Sequence, residues 1–322
     1  MIATPGIDAE ALRRLRLLNR LQSTVLLAGL VALAGSTGFL LAGSDGVIFA
    51  GALAAGFLLF NPASGDIVFR YLYGAVPLTA ASAPRLISLV GEFARRADLD
   101  RAPALFLIPT PLLQAMAAGS REAPSIAVTS GLLQQLSSRE LAAVLAHEIA
   151  HIRHGDMFVM RIAAAAGSMT RAMSMTGMLL LILYFPVLWA TGTTVSPLAI
   201  VLLVGAPMAS DLLELSLSRR REFLADAGAV ELTGDPMALA RALERIAKLQ
   251  GDDWERFAAR GGSWLRWFRT HPTTAERIER LAEVAALPRP ALPTWSWAEN
   301  QRDMAYPGGQ ALGQRVMRRL LL

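Results

Sequence analysis

The chain has 322 residues, no cysteine, a net charge of +5 and a 53% hydrophobic content. The lack of cysteine excludes disulfides and thiolate metal sites, and the apolar content exceeds the globular norm and points to a bilayer. The arginines are spread along the chain or flank apolar runs. No aromatic-interleaved basic patch forms, so no nucleic-acid partner is expected and the charge reads as membrane-facing.

Leu21–Ser44 carries no charged residue, nor does Gly46–Gly65, and Asp45 alone separates the two. Ala172–Ser210 is a longer uncharged run, broken by "TGTTVSP" at Thr191–Pro197. A spanning helix needs about 20 apolar residues, so the pattern predicts two helical hairpins with four spans. The second span is short: only Val47–Phe60 is strongly apolar before Asn61 and Pro62. At about 1.5 Å per residue it falls below the ~30 Å hydrocarbon core, which suggests a short, tilted or re-entrant segment. Buried core helices of a soluble protein are the alternative.

Arg13, Arg14, Arg16 and Arg20 precede the first run, and Ala32-Leu33-Ala34 resembles a signal-cleavage site. The run continues through Leu41 and the leader holds Asp8 and Glu10, so an uncleaved anchor is expected. Arg70, Arg161, Arg171 and Arg219 to Arg221 flank the other runs, while the hairpin turns hold no basic residue. The positive-inside rule then puts both termini and the polar segments on the cytoplasmic side.

Pro84–Ala97 has helical spacing, with Leu86, Leu89, Val90 and Phe93 on one face. Ala104–Ile108 and Ser125–Thr129 read as short strands bounded by Pro and Gly, with a third over Gln114–Ala117. Ser137 and Glu140 fit a capping box that opens a helix carrying "VLAHEIAHIRHGD", residues 144–156. Three of the four histidines lie there.

His147 and His151 are four apart, so both imidazoles project from one face of that helix. Two nitrogens so placed can grip one Zn²⁺, and Glu148, one step round, can reach a water on the metal. The bland alternative is a helix with two packed histidines and a surface glutamate. His154 falls in the last turn, where a cation suits the helix dipole; Gly155 suits the C-cap, and Asp156 an N-cap for the next helix.

A catalytic zinc needs a third protein ligand. His271 is the only distant histidine, so carboxylates come into view. "SRRREFLADAGA", Ser218–Ala229, offers Glu222 and Asp226, four apart. Glu222 could ligate the metal while Asp226 holds a ligand histidine through its other nitrogen; equally, the stretch could be a solvated, arginine-rich helix. In "GSWLRWFRTHP", Gly262–Pro272, Trp264, Trp267 and Phe268 lie at helical spacings and suit either core packing or the headgroup level. Beyond Leu287 the tail contains Pro and Trp and carries no readable pattern. The expected organisation is 1–70 (N-terminal helix and first hairpin), 71–170 (sheet and histidine helix), 171–211 (second hairpin), 212–287 (Glu222 helix and His-Pro segment) and 288–322 (tail).

Several ordered motifs resemble the HtpX-type family of membrane-bound zinc metalloproteases, which has the CAAX prenyl proteases among its wider relatives. They are "SIAVTSGLL" (Ser125–Leu133), "LAHEIAHIRHGD", "SRRREFLADAGAVEL" and "THPTTAERIERL" (Thr270–Leu281). The match runs over roughly Pro84–Leu287. It implies His147, His151 and Glu222 as ligands of one Zn²⁺ per chain, in the gluzincin manner. It also implies Glu148 as general base, Asp226 behind a ligand histidine, and His271 as a stabiliser of the oxyanion or simply the residue before Pro272 at a helix start.

Gln114, Ala115, Met116 and Ala117 then form the edge strand that pairs with substrate, although Gln114 and Met116 depart from the family's usual Asn-Ala-Phe-Ala. The implied fold is an α-rich α+β membrane protein of several spans, with a cytoplasmic zinc-protease domain around a small sheet. The implied place is the bacterial inner membrane, the partners are the lipid bilayer and protein or peptide substrates, and the work is hydrolysis of damaged membrane proteins. The rivals are a non-catalytic membrane scaffold with a structural or vestigial metal, and a narrow-specificity prenyl-peptide protease.

Overall fold

The structure, a computed structural model, describes residues 9–60, 65–192, 194–250 and 274–286. His271, the Trp264–Phe268 stretch and the tail beyond Leu287 lie outside the described residues.

Three helices are long and apolar enough to cross a membrane: α1 (Ala9–Phe60), α6 (Asp156–Thr191) and α7 (Pro197–Thr233). The first is two arms in one. Ala42 (φ −146°, ψ 24°) and Gly43 (φ 60°, ψ −139°) leave helical geometry, and the positive φ is one that glycine adopts without strain. A Cβ on Gly46 would overlap the Gly38 carbonyl. In an unbroken helix residues eight apart are separated by about 12 Å, so the chain doubles back here. This is the first expected hairpin, drawn as one element, and its second arm is short.

Helices α1, α6 and α7 pack together, and small residues allow the approach: Gly177 of α6 faces Leu203 of α7 and Leu41 of α1. Outward, the bundle exposes Ile48, Phe49, Leu183, Phe185, Trp189 and Val201. That inversion of the usual rule suits a lipid solvent.

Helices α6 and α7 each run through the point where hydropathy changes. No glycine cap or proline interrupts them at residues 171 and 211; the prolines, Pro186 and Pro207, fall inside the apolar parts. The same two rods therefore cross the apolar layer and enter the polar domain.

In the polar domain, α2 (Gly65–Ile67) leads through a π-helical turn, Val68–Leu72, into β1 (Val76–Leu78). Helix α3 (Pro84–Arg96), β2 (Ala104–Ile108), β3 (Ala115–Gly119) and β4 (Pro124–Thr129) follow. Strand order is β1-β2-β4-β3. β2 and β4 run parallel, and the outer pairs are antiparallel.

Period-two alternation divides the side chains. Leu105, Leu107, Ile126 and Val128 join the main core with Val90 and Phe93 of α3, whereas Phe106 and Ala127 pack on Phe69. β3 is an edge strand, one residue later than the segment starting at Gln114, whose amide donates to Thr129 Oγ1 at 3.0 Å. After α4 (Ser130–Gln135) comes α5 (Ser138–His154), opened by the full Ser137–Glu140 capping box. Helices α8 (Pro236–Gln250) and α9 (Thr274–Ala286) close over α5 and α7.

Candidate metal centre

Helix α5 is buried on most of its surface, from Leu141 to Ile152. The run "LAAVLA" puts small and aliphatic groups all round it, so it serves as a central strut. His147 and Glu148 are both below a tenth exposed. Its partner is α7, which approaches closely because Gly228 lies on Ala150: a Cβ there would stand 2.6 Å from the Ala150 Cβ. This contact brings Glu222 and Asp226 against the histidine face.

His147 Nε2 and His151 Nε2 are 3.0 Å apart. Glu222 Oε2 is 3.4 Å from the first and Oε1 3.7 Å from the second. These three residues are the metal-competent His/Cys/Asp/Glu cluster among the described residues. Four-coordinate zinc with bonds of about 2.0–2.1 Å sets its ligand atoms about 3.3 Å apart. The observed separations bracket that spacing, so the residues fit the ion.

Both imidazoles are held from behind. His147 Nδ1 is 3.1 Å from Asp226 Oδ1, and His151 Nδ1 is 2.6 Å from Asp156 Oδ2. A carboxylate on Nδ1 fixes the tautomer with Nε2 as the lone-pair nitrogen. Two lone pairs facing each other across 3.0 Å need a cation between them, either a proton or a metal.

The titration behaviour agrees. Burial disfavours charge on His147, but hydrogen bonds to Asp226 and then Glu222 more than offset it and raise its pKa to about 9. Burial, and then the charge on His147, push His151 down to about 4. Without metal the pair therefore keeps one proton over a wide range.

Arg277 of α9 completes the enclosure. Its Nε and one terminal nitrogen reach the two oxygens of Asp226 at 2.8 and 2.5 Å, and the other terminal nitrogen lies 3.0 Å from Glu222 Oε2. Burial works against its charge, but Asp226 and then Glu222 hold its pKa above the ordinary arginine value.

Two of these groups escaped the sequence. Asp156 does not cap α6: that N-cap is Gly155, with φ 68°, and no side chain bonds the cap. Its carboxylate turns back to His151 instead. Arg277 sat unremarked within "THPTTAERIERL". Its only signal was membership of that segment. His154 occupies the last turn of α5, as expected, and its carbonyl accepts from Arg221 at 2.8 Å.

Residues 80–285 match the model of peptidase family M48. A "Protease HtpX homolog" of Methylibium petroleiphilum is 34% identical over 279 residues, covering 82% of this chain and 96% of its own. A protein of the same name from Burkholderia mallei is 33% identical over 283 residues, covering 83% and 97%. The crystal structure of S. mikatae Ste24p aligns with 83% of this chain and 66% of that chain, at 20% identity and a TM-score of 0.49.

Proposed function

Because this chain belongs to peptidase family M48, we propose that it is a zinc-dependent endopeptidase of the membrane. The observation that carries the proposal is the convergence of His147 Nε2, His151 Nε2 and a Glu222 oxygen at the spacing of a zinc tetrahedron, beside the buried Glu148.

His147, His151 and Glu222 would hold the ion, and Asp226 would orient His147. When bound, zinc supplies Lewis acidity to a peptide carbonyl and lowers the pKa of water. The chain's own work is proton handling and alignment. Glu148, in the turn between the two histidines, takes the proton from the attacking water and returns it to the leaving amine. Its charge is felt at both His151 and Arg277, which supports a position inside the site.

The backbone groups along the free edge of β3, over Ala115, Met116 and Ala117 with Gln114 leading in, would pair with an extended substrate segment. His271 would stabilise the oxyanion as it develops. Arg277, six residues further on, supports this, since it ties the start of α9 to the site.

The substrates we infer are membrane proteins awaiting disposal, cut on the cytoplasmic side of a bacterial inner membrane. The layout is that of the five segments set out above: two apolar hairpins alternating with the two halves of the protease domain, then the tail. The arginine flanks of the apolar runs support this orientation. A scaffold with only a structural metal has no use for a buried carboxylate at Glu148.

Metal analysis of the detergent-purified protein, paired with casein cleavage, tests the whole reading. One zinc per chain with chelator-sensitive cleavage is expected. Metal without cleavage would favour the scaffold.

A further inference from the structure

Asp156 stands just past the histidine helix, 3% exposed, in neither pair of residues that the sequence offered as ligands. Its surroundings give it two partners. Oδ2 lies 2.6 Å from His151 Nδ1, and Oδ1 is ion-paired with Arg221. Arg221 is itself buried, donates to the His154 carbonyl at 2.8 Å, and is the residue directly before Glu222.

We propose that Asp156 is the positioning residue for the ligand His151 and that, with Arg221, it sets the spacing between the helix of the histidines and the helix of Glu222. This rests on the zinc reading above.

The geometry supports it in three ways. First, the left-handed Gly155 breaks the helix between α5 and α6, and the first side chain of α6 lies against His151 of the helix just ended. A side chain at this place could cap α6, and this one does not. Second, a 2.6 Å approach is that of a charge-assisted hydrogen bond, which holds the imidazole ring against rotation and keeps its proton on Nδ1. Third, the arrangement repeats on the other ligand. His147 leans on Asp226, which Arg277 neutralises, and His151 leans on Asp156, which Arg221 neutralises. In the second set the guanidinium is a side chain of the third ligand's own helix, one residue before that ligand. A shift of α7 along α5 therefore pulls on His151 and Glu222 together.

A purely structural role, as a negative charge at the start of α6 or as the partner of Arg221, predicts loss of stability alone. The test separates the two. Asp156→Asn keeps size and an acceptor oxygen but removes the carboxylate charge from beside the buried Arg221, and it can fail to fold for that reason. Asp156→Asn/Arg221→Gln removes both charges and retains a donor for the His154 carbonyl. Zinc affinity is measured by chelator competition, the visible spectrum is recorded with cobalt in place of zinc, and the metal-free melting temperature is taken alongside.

The double variant should melt near wild type yet bind zinc about ten- to a hundredfold more weakly, with altered cobalt bands. Wild-type affinity and an unchanged cobalt spectrum in the double variant would overturn the positioning role while leaving the zinc reading intact. A wild-type protein that takes up no zinc would instead remove the reading on which the role rests.

Discussion

Arg277 grips Asp226 with two nitrogens, at 2.8 and 2.5 Å, from a position 51 residues further along the chain. The fork fixes the carboxylate that in turn faces His147. Lysine offers one point charge and cannot reproduce a bidentate contact. Arg277→Lys should therefore fold, keep stability within about 1–2 kcal/mol, and lose about tenfold or more in zinc affinity. Arg277→Ala takes the guanidinium away from the buried Asp226 and the half-buried Glu222 and should cost about 3–5 kcal/mol in the metal-free protein. Thermal melts with and without zinc would show it. A Lys variant with wild-type metal affinity would mean that the fork has no bearing on His147.

Glu148 and Glu222 should separate cleanly. Glu148→Gln removes a base and no ligand, so metal content should stay near wild type while cleavage falls about a hundred- to ten-thousandfold. Glu222→Ala should lose metal as well as activity. Zinc analysis of the two purified variants decides the point; tight metal binding by the Ala variant would place the third ligand elsewhere.

The proton shared by the histidines makes metal binding pH-dependent. His147 has its pKa raised to about 9 in the folded, metal-free protein, against about 6.5 for an unfolded histidine. Below about 9 zinc must displace that proton, so affinity should rise by about tenfold per pH unit between the two histidine pKa values, about 4 and about 9, and level off above the second. Calorimetry in buffers of different ionisation enthalpy should record release of about one proton at pH 7. The same sign governs stability: the contribution of His147 is full below about 6.5 and is lost as pH rises through about 9. Zinc binding with no proton release would contradict the assignment.

Gly228 is where the two ligand helices touch. A Cβ would stand 2.6 Å from the Ala150 Cβ, well inside an ordinary contact, so Gly228→Ala must push α7 away from α5. A loss of about 1–3 kcal/mol is expected from overpacking, together with weaker zinc binding, because Glu222 moves with α7. A variant that melts lower yet binds zinc as tightly would show that Glu222 compensates by rotamer.

Reporter fusions test the orientation. Insertions at Asp45 and Gly192 should report the outer side, and one at Arg121 the cytoplasm. A cytoplasmic signal at Gly192 would mean that α6 and α7 do not cross.

The legible parts of this molecule were those fixed by local rules. His147 and His151 share a face because the helix repeats every 3.6 residues, and Ser137 with Glu140 marks a helix start within four residues. β2 was readable to its ends from its apolar run and flanking prolines. What sequence could not reveal depended on distance or direction. Arg277 is one arginine among many, and its place beside Asp226 follows from how α9 folds over α7. Acids are common at helix starts, so the sequence presents Asp156 as a cap. Its true aim depends on the φ of Gly155, which composition does not disclose. The continuity of α6 and α7 through residues 171 and 211 was likewise hidden, since hydropathy changes along each helix while the backbone does not.

That continuity in α7 gives the protein a mechanical lever. Ser210, packed in the bundle, and Glu222 belong to one unbroken rod, about 18 Å apart at 1.5 Å per residue. A lean of about 5° pivoting at Ser210 would carry the Glu222 backbone some ~1.6 Å across the histidines, as simple trigonometry on that helical rise requires. Tilt of a membrane helix is set by its packing against neighbouring helices, and α7 packs on α1, α5 and α6. The third corner of the site thus hangs from a lever whose angle is held by its contacts at Gly228 and Arg221.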